Sequence, residues 1–315
     1  MQFDRTAIAI SQRTNTELID LSLVVLRHFW KDLVWYAIFG AIPFAILNWY
    51  VTIPLRDYGY LTSFSYGDAN AEIGYRILYL LWMAMLVYFE APLAMSAVTF
   101  VLGERAFRIG NDRRKTLSTL WKIKFRLLRV LGMVRGGLLI LAVGFFLHGN
   151  QSMQRNTSGA SGWLLFGLVI IAFVRGFKPF APEILLLEQT PLKKEPKSAG
   201  ASRRSYSERS SWLHSSSGDQ FVSWFCTSLV AMFLTLSLCL CSLFLVGSVI
   251  GYWSWGWWMD VIFFPLILWL IAFWSTIVRF LGYVNTRILG EGWELELKLK
   301  AEARRLKDDR SQQHV

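Results

Sequence analysis

The chain has 315 residues, of which 54% are hydrophobic, and a formal net charge of +11. Its apolar residues lie in long blocks, which is typical of a protein whose apolar surroundings are supplied by a bilayer. The basic residues lie between these blocks, as the positive-inside rule predicts, so the charge indicates membrane topology and not nucleic-acid binding. All three cysteines lie in one apolar block, which argues against a disulfide framework or a zinc site.

The N-terminal segment predicts an amphipathic helix over residues 14–31. No apolar core of a cleavable signal peptide precedes it. Thr14 and Glu17 have the spacing of a capping box, and the charged residues of the segment share one narrow helical arc. We expect this helix to lie in the membrane interface, and the alternative is a helix that packs on the bundle.

Six apolar segments predict membrane spans. They cover residues 33–53, 77–102, 130–148, 160–178, 221–252 and 261–281. Outside the apolar cores, the successive segments contain four, two, nine, one, eight, none and eight basic residues. Because basic residues concentrate on the cytoplasmic side, this alternation predicts six crossings with both termini cytoplasmic. The predicted fold class is all-α, a polytopic membrane helix bundle with interfacial amphipathic helices, and residues 1–285 form its single membrane domain.

The fourth span is unusually short. Its clean apolar run covers residues 163–174, whereas a spanning helix needs about 20 residues. We expect it to borrow residues 159–162 or to run past Arg175 and Lys178, whose side chains would then snorkel. The charge alternation favours a crossing over a re-entrant segment.

Glu90 lies near the middle of the second predicted span, beside Pro92. A carboxylate at this depth is costly unless it is protonated, paired or facing water. Two interpretations are open: a proton or substrate site, or a structural hydrogen bond inside the bundle, for example to backbone freed by Pro92. Arg135, in the third predicted span, is a candidate partner.

Charged residues also cluster where the fourth span leaves the membrane. They are Arg175, Lys178, Glu183 and Glu188. They fit either an ion network at the membrane edge or simple anchoring, with Pro182 opening a new helix. Residues 189–219 follow and are rich in Ser, Lys and Arg, which predicts a mobile cytoplasmic loop.

Two further segments have amphipathic character. Residues 103–129 are strongly basic and predict either a second interfacial helix facing anionic headgroups or a solvated topology signal. Residues 286–315 predict a C-terminal cytoplasmic helix and tail, because oppositely charged residues lie four apart. Three alternatives are open for the apolar stripe of this helix: it docks on the bundle, lies on the membrane or pairs with another protein.

No catalytic, cofactor-binding or metal site is predicted. The four histidines are scattered over different segments. The sequence contains no phosphate-binding glycine loop, no HExxH motif and no nucleophile elbow.

Several short motifs resemble a known family. They are Ala91-Pro92 with Gly103-Glu104-Arg105, Pro182-Glu183-Ile184 with Leu187-Glu188, Arg209-Ser210-Ser211-Trp212-Leu213-His214, and a tail from Arg279 to Ala303 that contains Arg287 and Glu291. Together they resemble bacterial multi-pass membrane proteins of the glycerophosphoryl diester phosphodiesterase membrane-domain group, found beside envelope-associated genes. The resemblance implies the bacterial cytoplasmic membrane, and it adds Arg209, His214, Arg287 and Glu291 to the candidate polar sites. It does not imply phosphodiesterase activity, because catalysis in that enzyme group belongs to a separate soluble domain.

We therefore expect a non-enzymatic integral membrane protein that acts as a scaffold or partner subunit in a bacterial envelope process. Its expected partners are the bilayer, through anionic headgroups, and other proteins, through the loop and the C-terminal helix. The alternative is a transporter or lipid-handling protein that uses Glu90.

Overall fold

The computed structural model of the chain describes residues 13–66, 69–106, 113–137, 157–192, 205–215, 217–251 and 253–292. It is 90% helical and has no strand within these ranges. The predicted all-α helical bundle is therefore confirmed.

The helices form one bundle built around the first, second and last of them. The described α-helices are α1 (Asn15–Tyr66), α2 (Ala69–Ala94), α3 (Ser96–Ala106), α4 (Arg113–Leu127), α5 (Thr157–Gly176), α6 (Ala181–Leu187), α7 (Tyr206–Leu213), α8 (Ser217–Ile250) and α9 (Phe264–Glu291). A π-helical segment, Leu128–Gly137, continues α4, and another, Met259–Phe263, leads into α9. Leu33, Met83 and Ile277, from α1, α2 and α9, are buried in the largest apolar core.

Four helices of the described chain are long and apolar enough to cross a membrane. They are Asn15–Ile53, Ile73–Ala94, Asp219–Ile250 and Met259–Glu291. A shorter apolar helix, Ala160–Phe173, lies within α5, which begins at Thr157 and so includes the residues that the fourth span was expected to borrow. The membrane-spanning character is thus supported. The count of six crossings stays a prediction, because residues 138–148 of the third predicted span lie outside the described ranges.

The first helix differs from the prediction, because α1 runs without a break through the predicted interfacial helix and the first predicted span. The junction between them contains neither proline nor glycine. Leu18, Val25 and Leu33 are buried along one side of the helix, and Trp274 Nε1 donates to Ser22 Oγ at 3.0 Å. The N-terminal part of α1 therefore packs on the bundle, in agreement with the alternative interpretation.

Both ends of the described chain lie at one end of the bundle, which we call the terminal end. Arg13 N donates to Asn285 Oδ1 at 3.0 Å, and Asn285 Nδ2 donates to the Arg13 carbonyl at 3.1 Å. The predicted capping box of α1 is present, since Thr14 N donates to Glu17 Oε2 at 3.0 Å and Glu17 N to Thr14 Oγ1 at 3.4 Å. These bonds hold the start of α1 against the last turns of α9.

The second predicted span, 77–102, is divided at Met95, where α2 ends and α3 begins. Pro92 causes the irregularity, because it has no N–H and its ring clashes with the preceding turn. Helix α1 crosses this point at close range. A Cβ atom added to Gly40 would lie 2.0 Å from the carbonyl oxygen of Ala94, so the crossing requires glycine.

The predicted loop, 189–219, contains a folded helix, so the prediction of a wholly mobile loop is wrong. Helix α7 begins with a capping box in which Ser205 Oγ accepts from Glu208 N at 3.4 Å and Ser205 N donates to Glu208 Oε2 at 3.3 Å. Leu213, at its end, is buried. The Ser-x-x-Glu spacing is a sequence signal for this helix. Residues 193–204 lie outside the described ranges.

The last helix extends past the predicted boundary between residues 285 and 286. Helix α9 ends at Glu291, and Gly292 caps it with a left-handed φ of 65°. Arg287 therefore belongs to the last helix of the bundle and not to a separate C-terminal helix. The remainder of that predicted helix, 293–315, lies outside the described ranges.

Candidate functional site

Five polar side chains form a network at the terminal end of the bundle, which we call the ion cluster. They are Glu188, Arg209, Tyr283, Arg287 and Glu291. Glu188 directly follows α6, Arg209 lies in α7, and the other three lie in α9. Spacings of four residues place these three on one face of α9. The cluster thus joins segments that are far apart in sequence.

Arg209 is the centre of the ion cluster. Its Nε donates to Glu188 Oε2 at 2.6 Å and its Nη2 to Glu188 Oε1 at 2.8 Å, so the two side chains form a bidentate pair. The same Nη2 donates to Glu291 Oε1. The guanidinium also lies over the Trp212 ring, 4.8 Å from its centroid. One arginine in α7 therefore contacts both carboxylates of the cluster.

Tyr283 and Arg287 complete the network from α9. The Tyr283 hydroxyl donates to Glu188 Oε1 at 2.7 Å. Arg287 Nη2 donates to Glu291 Oε2 at 2.6 Å, and its Nη1 donates to the Tyr283 hydroxyl at 3.3 Å. Each carboxylate is consequently bound from two directions.

The ion cluster is electrically balanced, because two guanidinium groups face two carboxylates. Burial alone would lower the pKa of Arg209, but hydrogen bonds and attraction to Glu188 and Glu291 outweigh it and raise this pKa above its usual value. The side chain of Arg209 is 9% exposed and that of Glu188 13%, so loss of either would leave a buried charge poorly compensated. The arrangement is suited to clamping three segments together.

Four of the predicted polar sites therefore come together: Glu188, Arg209, Arg287 and Glu291. Glu183, which begins the same helix that leads to Glu188, does not join them. It is fully buried and accepts from Arg279 Nε at 2.7 Å. The two glutamates after Pro182 thus bind two different arginines, one in α9 and one in α7.

His214 lies beside the ion cluster at the end of α7 and is buried. Its ring stacks on Phe180, with centroids 5.6 Å apart. Phe180 N donates to Nε2 at 3.5 Å, so Nε2 is an acceptor and Nδ1 carries the proton in its 2.6 Å bond to the Ser210 carbonyl. This histidine links α7 to the start of α6.

Glu90 is hydrogen-bonded between α1 and α2. Asn48 Nδ2 donates to Glu90 Oε2 at 2.7 Å, and both residues are buried, 1% and 5% exposed. The geometry matches a structural hydrogen bond inside the bundle, with a side-chain partner and not the backbone freed by Pro92. The side chain of the expected partner, Arg135, lies outside the described part of the structure.

The backbone freed by Pro92 is bound by Arg175 instead. Because Pro92 has no N–H, the carbonyl of Tyr88 lacks the donor that the residue four positions later provides in a regular α-helix. Arg175 Nη1 donates to this carbonyl, and its Nη2 donates to the carbonyl of Phe89 at 2.6 Å. Arg175 is buried, whereas Lys178 is exposed. The first basic residue at the membrane exit therefore supports the kink in α2, and it does not snorkel.

Sequence reasoning missed several members of these polar contacts. Arg279, Tyr283 and Arg287 follow one another at intervals of four residues. This spacing is a sequence signal that places all three on one helical face. Asp260 is 3% exposed and accepts from Trp255 Nε1 at 2.7 Å. The sequence signal that could have identified Asp260 is a carboxylate directly before an apolar span.

Among the described residues, no group of three or more His, Cys, Asp or Glu is placed to hold a metal ion. No protein-family model, curated protein or solved structure matches the chain.

Proposed function

We propose that the chain is a non-enzymatic scaffold or partner subunit of a bacterial envelope complex, held in the cytoplasmic membrane with both termini cytoplasmic. The observation that carries the proposal is the way in which the ion cluster braces the base of residues 193–204. The described chain stops at Leu192 before this segment and resumes at Ser205 after it. A rigid base that holds a charged segment is suited to presenting it to a partner.

The base of this segment is closed by two contacts. Tyr206 N donates to the Pro191 carbonyl at 2.8 Å, and Glu188 and Arg209 form their bidentate pair immediately beyond. Between them, residues 193–204 contain five basic residues and one acidic residue. A basic segment fixed at both ends favours an acidic partner surface.

The exposed face of α4 supports the bilayer as a second partner. Trp121 is 71% exposed and Phe125 75%, and they lie four residues apart on one face. Lys124 Nζ lies 3.1 Å from the Trp121 ring centroid. Lys122 in α4 and Arg129 in the π-helical segment that continues it are exposed. An aromatic face beside basic residues is typical of a helix that lies on anionic headgroups.

Replacing residues 193–204 with a Gly/Ser linker of equal length should remove a protein partner from the membrane complex. The ion cluster and the Tyr206–Pro191 bond stay intact in this variant, so the bundle should fold normally. Cross-linking in intact membranes followed by quantitative mass spectrometry of the purified chain measures the result. We expect at least one partner to fall about tenfold, the loss that follows removal of roughly 1.4 kcal/mol of binding free energy.

A scrambled segment with the same composition separates charge from sequence as the source of binding. A second variant, ending at Gly292, tests the C-terminal segment without disturbing α9. Identical partner sets for the natural chain, the linker variant and the shortened chain would contradict the scaffold proposal.

Transport or lipid handling is the second candidate function, and the observation that favours it is a buried carboxylate, Glu90, within a spanning helix. In Glu90→Gln the neutral amide can still accept from Asn48, so folding should be kept. We expect thermal stability close to that of the natural chain, and, if Glu90 transfers protons or binds substrate, loss of the cellular phenotype. An unchanged phenotype in the folded variant would contradict this candidate function and leave Glu90 as the acceptor of a structural hydrogen bond from Asn48.

A further inference from the structure

The inner face of α4 belongs to the same apolar cluster as the base of residues 193–204. Leu127, in α4, is 5% exposed and lies in this cluster with Leu185 of α6. Leu192 and Tyr206, which stand on the two sides of the segment, pack against the same cluster. One apolar cluster therefore joins α4 to both sides of the base.

A hydrogen bond also joins α4 to this base. Arg126 Nη1 donates to the Thr190 carbonyl at 3.1 Å. Thr190 is buried and precedes Pro191, whose carbonyl accepts from Tyr206 N at 2.8 Å. Because the two acceptors belong to adjacent residues, the position of α4 and the bond that closes the base depend on each other.

The outer face of α4 and of the π-helical segment that continues it is both apolar and basic. Trp121, Phe125 and Leu128 are 71%, 75% and 53% exposed, and their spacing places them on one helical stripe. Lys122 and Arg129 are exposed as well. An apolar stripe among basic residues matches the boundary between acyl chains and anionic headgroups.

This outer face lies close to the end of a spanning helix. Gly132, in the π-helical segment, lies beside Leu93, since a Cβ atom added to the glycine would be 3.8 Å from Leu93 Cδ1. Leu93 is the penultimate residue of the spanning part of α2, Ile73–Ala94. Phe125 precedes Gly132 by seven residues, so the two are at most about 10 Å apart along the helix. The outer face is therefore near enough to the end of the spanning part to contact headgroups.

We propose that anionic lipid headgroups bound to the outer face of α4 hold the base of residues 193–204 closed, so that lipid charge regulates the proposed scaffold. A lipid that binds only while α4 is seated on the bundle stabilises the packing of its inner face by linkage. The coupling is reciprocal, so a partner that binds the closed base should also strengthen the contact with the headgroups. This inference rests on the proposed function, because it assigns regulation to the same base.

Hydrogen–deuterium exchange of the full chain in nanodiscs tests the coupling through the Tyr206 amide, whose bond closes the base. Discs of phosphatidylcholine are compared with discs in which phosphatidylglycerol replaces part of this lipid. We expect exchange of this amide to be about tenfold slower in the anionic discs, as for a ligand at about ten times its dissociation constant. Lys122→Gln with Arg129→Gln should remove most of the difference. Arg27→Gln with Lys31→Gln, which removes two exposed charges from α1, is the matched control and should keep it.

Arg126→Lys separates lipid binding from coupling, since lysine keeps the charge but lacks the guanidinium that binds Thr190. Native mass spectrometry should show unchanged retention of phosphatidylglycerol by this variant, while the slowing of exchange at Tyr206 should be reduced. Equal exchange of the natural chain in both discs, or equal slowing in the Lys122 and Arg129 double variant, would overturn the proposal. So would equal slowing when inorganic polyphosphate is added to phosphatidylcholine discs, because the ligand would then be a soluble polyanion and not the bilayer.

The lipid effect and the loss of a partner in the linker variant are separate results, because exchange is measured without any partner. Slower exchange in anionic discs together with identical partner sets would contradict only the scaffold proposal. Loss of a partner in the linker variant together with equal exchange in both discs would contradict only the regulation by lipid.

Discussion

Replacing Arg209 with methionine should lower the free energy of unfolding by about 3–5 kcal/mol, the cost of leaving buried carboxylates poorly paired. Glu188 would keep only Tyr283 and a distant guanidinium, with Arg287 Nε 3.8 Å away. The melting temperature of the detergent-solubilised chain should fall by roughly 10 °C. Size-exclusion chromatography after graded heating measures this fall.

The control for Arg209→Met is Arg105→Met, which also breaks an arginine–carboxylate pair. Arg105 Nη2 lies 2.8 Å from Asp32 Oδ2, but the side chains are 36% and 40% exposed. A solvent-exposed pair contributes about 1 kcal/mol or less, so the melting temperature should change little. Equal effects of the two substitutions would contradict the role of the ion cluster as a buried clamp.

The double variant Arg209→Met with Glu188→Gln tests whether charge imbalance causes the loss. Removing both charges leaves Arg287 paired with Glu291, at 2.6 Å from Nη2 to Oε2. We expect the double variant to be more stable than Arg209→Met alone, because neighbouring charges couple non-additively. A double variant as unstable as the sum of the two single changes would assign the loss to packing against Trp212.

Replacing Arg175 with methionine should destabilise the bundle by about 3 kcal/mol, because the carbonyls of Tyr88 and Phe89 would lose the guanidinium donors that bind them in apolar surroundings. The double variant Arg175→Met with Pro92→Ala should regain part of the stability that is lost in Arg175→Met. Alanine restores the N–H that pairs with the carbonyl of Tyr88 in a regular α-helix, so this carbonyl depends less on the arginine. Thermal unfolding followed by tryptophan fluorescence compares the single and double variants.

Lys178→Met is the matched control for Arg175→Met, since Lys178 lies three residues further on and is exposed. It should unfold at nearly the natural temperature. If Pro92→Ala does not improve the stability of the Arg175 variant, the guanidinium acts through the aromatic rings of Tyr88 and Phe89, 4.6 and 5.8 Å away, and not through the freed backbone.

Much of the architecture could be predicted from the sequence because it depends on local properties. The length of an apolar run decides whether a helix can span a bilayer, and cap spacing at Thr14 and Glu17 places a helix start. The same cap spacing at Ser205 and Glu208 predicts α7, although the surrounding Ser, Lys and Arg suggested a loop. Local composition and local hydrogen bonding conflict there, and hydrogen bonding decides the structure.

The candidate site was predictable only as a set of residues. Glu188 could be singled out as a charged residue at the membrane exit. Arg209, Arg287 and Glu291 could be singled out through the motifs that resemble a known family, but the pairing of the four residues could not be predicted. Pairing depends on how α6, α7 and α9 pack, and these helices are separated by many residues in the chain. Asn48 was missed for the same reason, because its importance comes from lying opposite Glu90 on another helix.

The sequence by itself determined that this is an all-α membrane protein with its basic segments set between apolar helices, because helix length and charge placement follow from residue order. Tertiary structure decided that α1 is continuous, that Arg175 binds the carbonyls exposed by Pro92, and that four distant charges form one balanced cluster. The physical reason is that a buried polar group must find its partner in whichever helix lies next to it, and only the packed bundle specifies that neighbour.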